Sequence, residues 1–245
     1  MKPRPSALCA HDLGSTQMLE ATSKYSLRER AILAEGDASG VVPLAELWCE
    51  LRDGTARIHE AFFNNARCYF VLEMQIPVER RTPLSSRRRH LLESLLCGEY
   101  PKALAARLRV STSTISTVGN LALQQLGIQS NFAHFHPLLA MSAQAERDKS
   151  SNAVGRFSDF THMERRFRVV GVARPDCALA VVLPPAQYEV VRGLVEGKNY
   201  LEIAKGRGTS TRTVANQVAA AFRRLGVSGR NSLLSRITTD QPAWA

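Results

Sequence analysis

Residues 84-LSSRRRHLLESLLCGEYPKALAARLRVSTSTISTVGNLALQQLG-127 align without a gap with a second stretch 99 residues further on, 183-LPPAQYEVVRGLVEGKNYLEIAKGRGTSTRTVANQVAAAFRRLG-226. Ten of these 44 positions are identical, whereas ordinary composition would supply roughly three by chance. The same register extends the alignment from residues 57–130 onto residues 156–229. We therefore interpret the chain as an internal duplication.

The spacing of apolar residues predicts three helices in each copy, because these residues recur on one side of a 3.6-residue period. In the first copy Gly98 can end the first helix, Pro101 suits the first turn of the second, and Ser111 or Thr112 can cap the third. The second copy repeats this layout. A fourth helix is predicted around residues 138–141 and again around residues 233–237.

Residues outside the helical stretches predict two hairpins. Residues 56–63 and 67–74 are rich in aromatic and β-branched side chains and flank Asn64-Asn65, which is typical of a hairpin with a two-residue turn. The repeat carries this pattern onto residues 156–172 and predicts a second, degraded hairpin there. Two further helices are predicted at residues 27–35 and 44–51. The expected fold class is mainly α with small β-hairpins, in which two four-helix domains each follow a short hairpin.

Shifts in composition give the expected domain boundaries. They predict a mobile tail at 1–22, helices and a hairpin at 23–83, a first helical domain at 84–141, a polar linker at 142–155, a degraded hairpin segment at 156–182 and a second helical domain at 183–245.

Charge and cysteine content restrict the function classes. The 245-residue chain has a formal net charge of +10, and the excess lies in two blocks, with +4 at residues 84–141 and +5 at residues 183–245. Phosphate groups or anionic lipids would explain such an excess. Five scattered cysteines without a CxxC pair predict neither a disulfide framework nor a zinc site. With no long apolar segment, we expect a cytoplasmic protein that does not cross a membrane.

Both copies resemble the LuxR-type (GerE-like) helix-turn-helix domain. The motifs that carry the resemblance are 201-LEIA-204, 210-STRTV-214 and 223-RRLGV-227 in the second copy, and 104-LAARLRVSTSTI-115 and 125-QLGI-128 in the first. They cover a little under half of the chain. The resemblance implies a bacterial-type transcriptional regulator whose third helices enter the major groove.

The two copies depart from the family pattern at several positions. Ser116 and Ala215 stand where the family usually has a basic residue that touches phosphate, and Val118 and Gln217 stand in the following histidine position. The third helix of the first copy carries no charge, so that copy must use nearby arginines or bind weakly.

The expected DNA-contacting residues lie on the two third helices and on basic positions beside them. A polar, solvated helix face is the alternative interpretation for both sets. In the first copy these residues are Arg87, Arg89, Arg109, Ser113, Ser116, Thr117 and Asn120; in the second they are Lys205, Thr211, Arg212, Asn216, Gln217, Arg223 and Arg224. Val118 and Leu121 are expected to project from the first copy as a packing interface.

The sequence holds no recognisable catalytic constellation. No glycine-rich loop has phosphate-binding spacing, and His134 and His136 have no cysteine or carboxylate at metal-ligand spacing. Cys97 and His90 lack an orienting third group. We therefore expect neither enzymatic activity, nor a cofactor, nor a metal site.

Three hypotheses follow from these observations. The favoured one is a regulator that binds double-stranded DNA through two tandem units, either as an intramolecular pseudo-dimer or as four reading helices in a homodimer. The alternative is a protein–protein or dimerisation module in which one or both copies no longer bind DNA. The third is a ligand-responsive sensor with a pocket formed by residues 23–83.

Overall fold

The computed structural model describes residues 26–36, 40–64, 66–129, 132–148 and 151–238, and the tail predicted at 1–22 lies outside these residues. Within them the protein is mixed α+β, with ten α-helices and one five-stranded antiparallel sheet. The first half contains α1 (Leu27–Glu35), β1 (Gly40–Pro43), α2 (Leu44–Arg52), β2 (Arg57–Phe63), β3 (Arg67–Glu73), α3 (Ser86–Leu96), α4 (Pro101–Leu108), α5 (Thr112–Gln125) and α6 (Phe132–Arg147). The second half contains β4 (Val154–His162), β5 (Arg165–Ala173), α7 (Pro185–Val195), α8 (Tyr200–Arg207), α9 (Thr211–Leu225) and α10 (Arg230–Thr238).

The helices reproduce the 99-residue repeat in their bounds. Helices α7 and α8 begin and end 99 residues after α3 and α4, and α9 begins 99 residues after α5. The helices predicted at 27–35 and 44–51 are present as α1 and α2. We refer to α3–α6 as the first four-helix unit and to α7–α10 as the second.

The two hairpins are not separate small elements, as the sequence analysis expected, because they join into one sheet of order β1-β4-β5-β3-β2. The central pair β3–β5 places Phe70 opposite Val170 and Val71 opposite Val169. A shift of 99 residues maps each of these pairs onto the other. The junction is therefore self-complementary, as at a two-fold interface between identical subunits, and the sheet contains a pseudo-two-fold axis.

Both hairpin turns differ from their predicted form. In the first, the N–H of Asn64 donates to the carbonyl oxygen of Arg67 at 3.0 Å, so the strands stay paired one step beyond Phe63 and Cys68, and the turn lies between Asn64 and Arg67, one residue later than predicted. The Oδ1 atom of Asn64 also accepts hydrogen bonds from the N–H groups of Ala66 and Arg67 at 2.9 and 2.7 Å. The second has the two-residue turn Met163-Glu164, with φ values of 46° and 59°. Its strands are each nine residues long, so the second hairpin is complete and not degraded.

The linker predicted at 142–155 starts later than expected, because residues 142–147 are the last turns of α6. Ser142, Ala143 and Ala145 are buried there. Their small side chains allow α6 to pack closely against α2 and the sheet, which explains why a polar-looking stretch is helical.

Each face of the sheet is covered by helices. On one face Ala31 of α1 packs with Tyr69 and Val169. On the other, Trp48 of α2 and Leu139 of α6 share a larger core with alternate residues of the central strands. Each four-helix unit also has apolar clusters of its own, because each helix must bury its apolar side against another element.

The two four-helix units contact each other reciprocally. The end of α3 at Gly98 lies against Ser235 of α10, and the equivalent end of α7 at Gly197 lies against His134 of α6. Equivalent positions thus meet the fourth helix of the other unit, which is the pattern that a pseudo-two-fold relation produces. Among the helices in the described ranges, none is both long and apolar enough to cross a membrane.

Candidate nucleic-acid interface

The third helix of the first unit, α5, begins at a side-chain cap. The Oγ atom of Ser111 accepts a hydrogen bond from the N–H of Thr114 at 3.0 Å, which satisfies one of the free donors of the first turn. Helix α4 ends just before this cap in a left-handed residue, Arg109, with φ of 53°. The short connection fixes α5 across α4 and leaves Arg109 exposed.

Four polar residues expected to read DNA from α5 are all exposed: Ser113, Ser116, Thr117 and Asn120. Two of them are engaged within the helix, because the Ser116 hydroxyl donates to the carbonyl oxygen of Thr112 at 3.2 Å and Ser113 bonds to Ser111 at 2.7 Å. In the described part of the chain, Thr117 and Asn120 form no such side-chain bond. The surface of α5 therefore offers hydroxyl and amide groups and no charge.

The two apolar residues assigned to an interface differ in exposure. Val118 is half-buried and packs in the cluster that contains Leu104 and Ile115, so it does not project from the unit as predicted. Val118 directly precedes the buried Gly119 and lies on the side of α5 that packs against α3 and α4, which explains the difference. Leu121 is 39% exposed and does lie on the surface.

The third helix of the second unit, α9, has the same cap and a different surface. The Oγ atom of Ser210 accepts from the N–H of Thr213 at 3.0 Å. Thr211, Arg212 and Asn216 are exposed near the beginning of the helix. Arg223 and Arg224 are exposed in its last turn.

The arginines of α9 suit an anionic partner. No acidic side chain of the described ranges forms an ion pair with Arg212, Arg223 or Arg224. Arg212 lies at the second residue of the helix, where the helix dipole disfavours a cation unless an anion compensates it. A phosphate group would supply this anion, as backbone phosphates do in protein–DNA interfaces.

Gln217 is not a free reading residue. Its Oε1 atom accepts a hydrogen bond from Arg207 of α8, and the Nε atom of Arg207 donates to Glu189 of α7 at 3.0 Å. These bonds connect all three helices.

The remaining basic candidates lie beside the third helices. Arg87, Arg109 and Lys205 are exposed and Arg89 is half-buried. Arg107 is held by Glu99 at 2.7 Å and lowers the pKa of that carboxyl group. The first unit therefore has Arg87 and Arg109 as its exposed expected cations, and both lie outside α5.

Sequence reasoning missed the residues that join the units to the sheet. The side chain of Arg174, the residue after β5, is fully buried and forms ion pairs with Asp176 at 2.9 Å and with Glu196, the residue that caps the end of α7, at 2.7 Å. Burial opposes ionisation of Glu196, but hydrogen bonds from Lys198 and Arg174 outweigh it and lower the pKa of Glu196 to about 2. In the sequence, the only indication of these ion pairs is the charged tripeptide 174-RPD-176 after an apolar strand.

His134 and His136, which the sequence analysis set aside as metal ligands, lie where α6 meets the second unit. Burial and the charge of Arg230 lower the pKa of both imidazoles, that of His136 to about 4. Across the described ranges, no three histidine, cysteine or acidic side chains converge in a way that would hold a metal ion.

Comparisons of the chain with protein-family models, with curated proteins and with solved structures give no significant match.

Proposed function

We propose that this protein is a transcriptional regulator that binds double-stranded DNA with two LuxR-type helix-turn-helix units, arranged as an intramolecular pseudo-dimer. The observation that carries the proposal is the pair of equivalent third helices, α5 and α9, each capped by serine and each with an exposed polar face. The reciprocal packing of the two units supports a fixed relation between these helices. A cytoplasmic location belongs to the same proposal, because bacterial DNA is there.

The two units contribute unequally in this proposal. Helix α9 supplies Arg212, Arg223 and Arg224, and phosphate neutralisation provides most of the sequence-independent affinity. Helix α5 supplies uncharged groups for base edges, with Arg87 and Arg109 as its flanking cations. The half-sites should therefore differ in sequence and lie near one helical turn apart, about 10 bp.

Fluorescence anisotropy with random duplex DNA at two salt concentrations tests the proposal. We expect binding that weakens steeply with salt, and the double substitution Arg212→Ala with Arg223→Ala should reduce the slope of log K against log salt by roughly 2, about 0.9 for each phosphate contact. Arg28→Ala with Arg156→Ala, two exposed arginines far along the chain from α9, is the matched control. Loss of binding in the control, with none in the α9 variant, would contradict the proposal.

A protein–protein module is the second candidate, because the surface of α5 is uncharged and exposes Leu121. An apolar interface responds weakly to salt. Absence of DNA binding at low salt, together with a salt-insensitive complex that Leu121→Asp disrupts, would favour this function over DNA binding.

A further inference from the structure

A cavity of 380 Å³ lies away from the third helices, at the end of the sheet where β4, β5 and the loop after β3 meet the end of α2. Its walls come from the end of α2, from the loop after β3 and from the beginning of β5. The loop is attached on both sides, because the N–H of Ile76 donates to the carbonyl oxygen of Thr55 at 3.1 Å and the N–H of Met74 donates to that of Arg166 at 2.9 Å. The walls are therefore formed without a ligand.

The cavity has an acidic group that lacks a partner. Glu50 of α2 lines it, and the Oε2 atom of Glu50 is buried without a hydrogen-bond partner within the described ranges. Burial raises the pKa of this carboxyl group, although the charge of Arg168 opposes the rise. Buried acceptors are nearly always satisfied, so an unpaired carboxylate oxygen calls for a donor.

The arginines of the cavity do not supply this donor. Arg168 donates two hydrogen bonds to Asp159, at 2.7 and 2.9 Å, and stacks over Phe157. Arg81 donates its Nε proton to the carbonyl oxygen of Ile76 at 2.9 Å, which leaves the other donors of its guanidinium for a ligand. Arg166 is exposed and its guanidinium forms no hydrogen bond in the described part of the chain.

The remaining wall is apolar. Met74, Pro77 and Val78 line the cavity, and Val78 is 70% exposed. These side chains offer an apolar surface to a bound ligand. The cavity thus combines an unpaired carboxylate, two arginines with free donors and an apolar strip.

We propose that this cavity binds an α-amino acid with an apolar side chain. The ammonium group of the ligand donates to Glu50, and its carboxylate accepts from Arg166 and Arg81, which is the geometry that planar guanidinium groups favour. The side chain lies against Met74, Pro77 and Val78. This site does not depend on the DNA-binding proposal, since no residue of α5 or α9 takes part.

Isothermal titration calorimetry of the full chain with L-leucine tests the site. Two fragments of the same probe serve as ligand controls: isoamylamine lacks the carboxylate, and 4-methylpentanoate lacks the ammonium group. We expect leucine to bind at millimolar or lower concentration and each fragment to bind at least about tenfold more weakly, because each loses one charged contact. No heat with leucine, or equal affinity for a fragment, would overturn the proposal.

Single substitutions test which residues of the cavity bind leucine. Glu50→Gln and Arg166→Gln should each weaken leucine binding by about tenfold or more, whereas Arg156→Gln, at an exposed position of β4, should leave it unchanged. Glu50→Gln should also raise the melting temperature without ligand, because it removes an unpaired buried acid. Unchanged leucine binding in both cavity variants would overturn the proposal, and so would tighter binding of L-glutamate than of L-leucine.

Discussion

The imidazole ring of His134 packs directly on the backbone of Gly197, so that a Cβ atom at residue 197 would overlap the ring. Gly197 has φ of 81°, a left-handed value that glycine adopts without strain. This contact joins the N-terminal part of α6 to the end of α7, and it is one of the points where the two four-helix units are held together.

Gly197→Ala should therefore destabilise the protein more than a substitution that only strains the backbone. Gly208, with φ of 61° and no atom within 4 Å of its Cβ position, is the matched control. We expect about 1 kcal/mol for Gly208→Ala from the left-handed conformation, and roughly 1–3 kcal/mol more for Gly197→Ala from overpacking. Urea denaturation of both variants measures the difference. Equal losses of unfolding free energy would show that the His134 side chain moves aside for the new Cβ atom.

The burial of His136 should make stability depend on pH. Its folded pKa of about 4 lies below the ordinary 6.5, so the unfolded chain binds one more proton between these values. The free energy of unfolding should therefore rise from pH 4 to pH 6.5, by about 3 kcal/mol from this group, and level off above. His136→Leu should remove most of this rise; urea denaturation from pH 4 to 8 tests it, and an unchanged pH profile in the variant would contradict it.

Replacing one partner of the buried ion pair between Arg174 and Asp176 should lower the free energy of unfolding more than replacing both. Both side chains are fully buried, so Arg174→Met alone leaves an uncompensated charge and should cost about 3–5 kcal/mol. The double variant with Asp176→Leu should recover much of this loss. A double-mutant cycle by chemical denaturation measures it, and strictly additive losses would show that the pair is not coupled.

A cation added to α5 should strengthen DNA binding if α5 faces the phosphate backbone. Ser116→Lys places a charge at the position where the LuxR-type pattern has a basic residue. We expect an increase in affinity and a salt slope that is steeper by about 0.9. Gln124→Lys, at an exposed position two turns further along the helix, is the matched control. An equal gain in both variants would indicate attraction by net charge alone.

The helices and strands were predictable because their signals are local. The leucines of α3 recur at helical spacing, and the N-cap serines, Ser111 and Ser210, lie where the sequence places them. The joining of the hairpins was not predicted, although 68-CYFVL-72 and 169-VVGV-172 are apolar on both faces, which is typical of central strands. Such runs do not specify which strand pairs with which.

The candidate interface was predictable in part for a similar reason. Periodicity places Thr117 and Asn120 on an exposed face, but it does not show that Gln217 is bound by Arg207 or that Val118 turns toward Leu104. These contacts depend on how α4 and α8 cross the third helices, which is set by long-range packing. The polar stretch at 142–147 was assigned to a linker because small residues resemble a linker until the face they pack against is known.

The self-complementary pairing of β3 with β5 has a consequence for how the two halves change in evolution. In a homodimer every substitution appears twice, so both subunits must tolerate it. Here the two-fold partners are encoded separately, and a substitution in one leaves the other intact. Their association is also intramolecular, so dilution does not separate them. One third helix can thus be uncharged, as α5 is, while the other carries arginines, as α9 does.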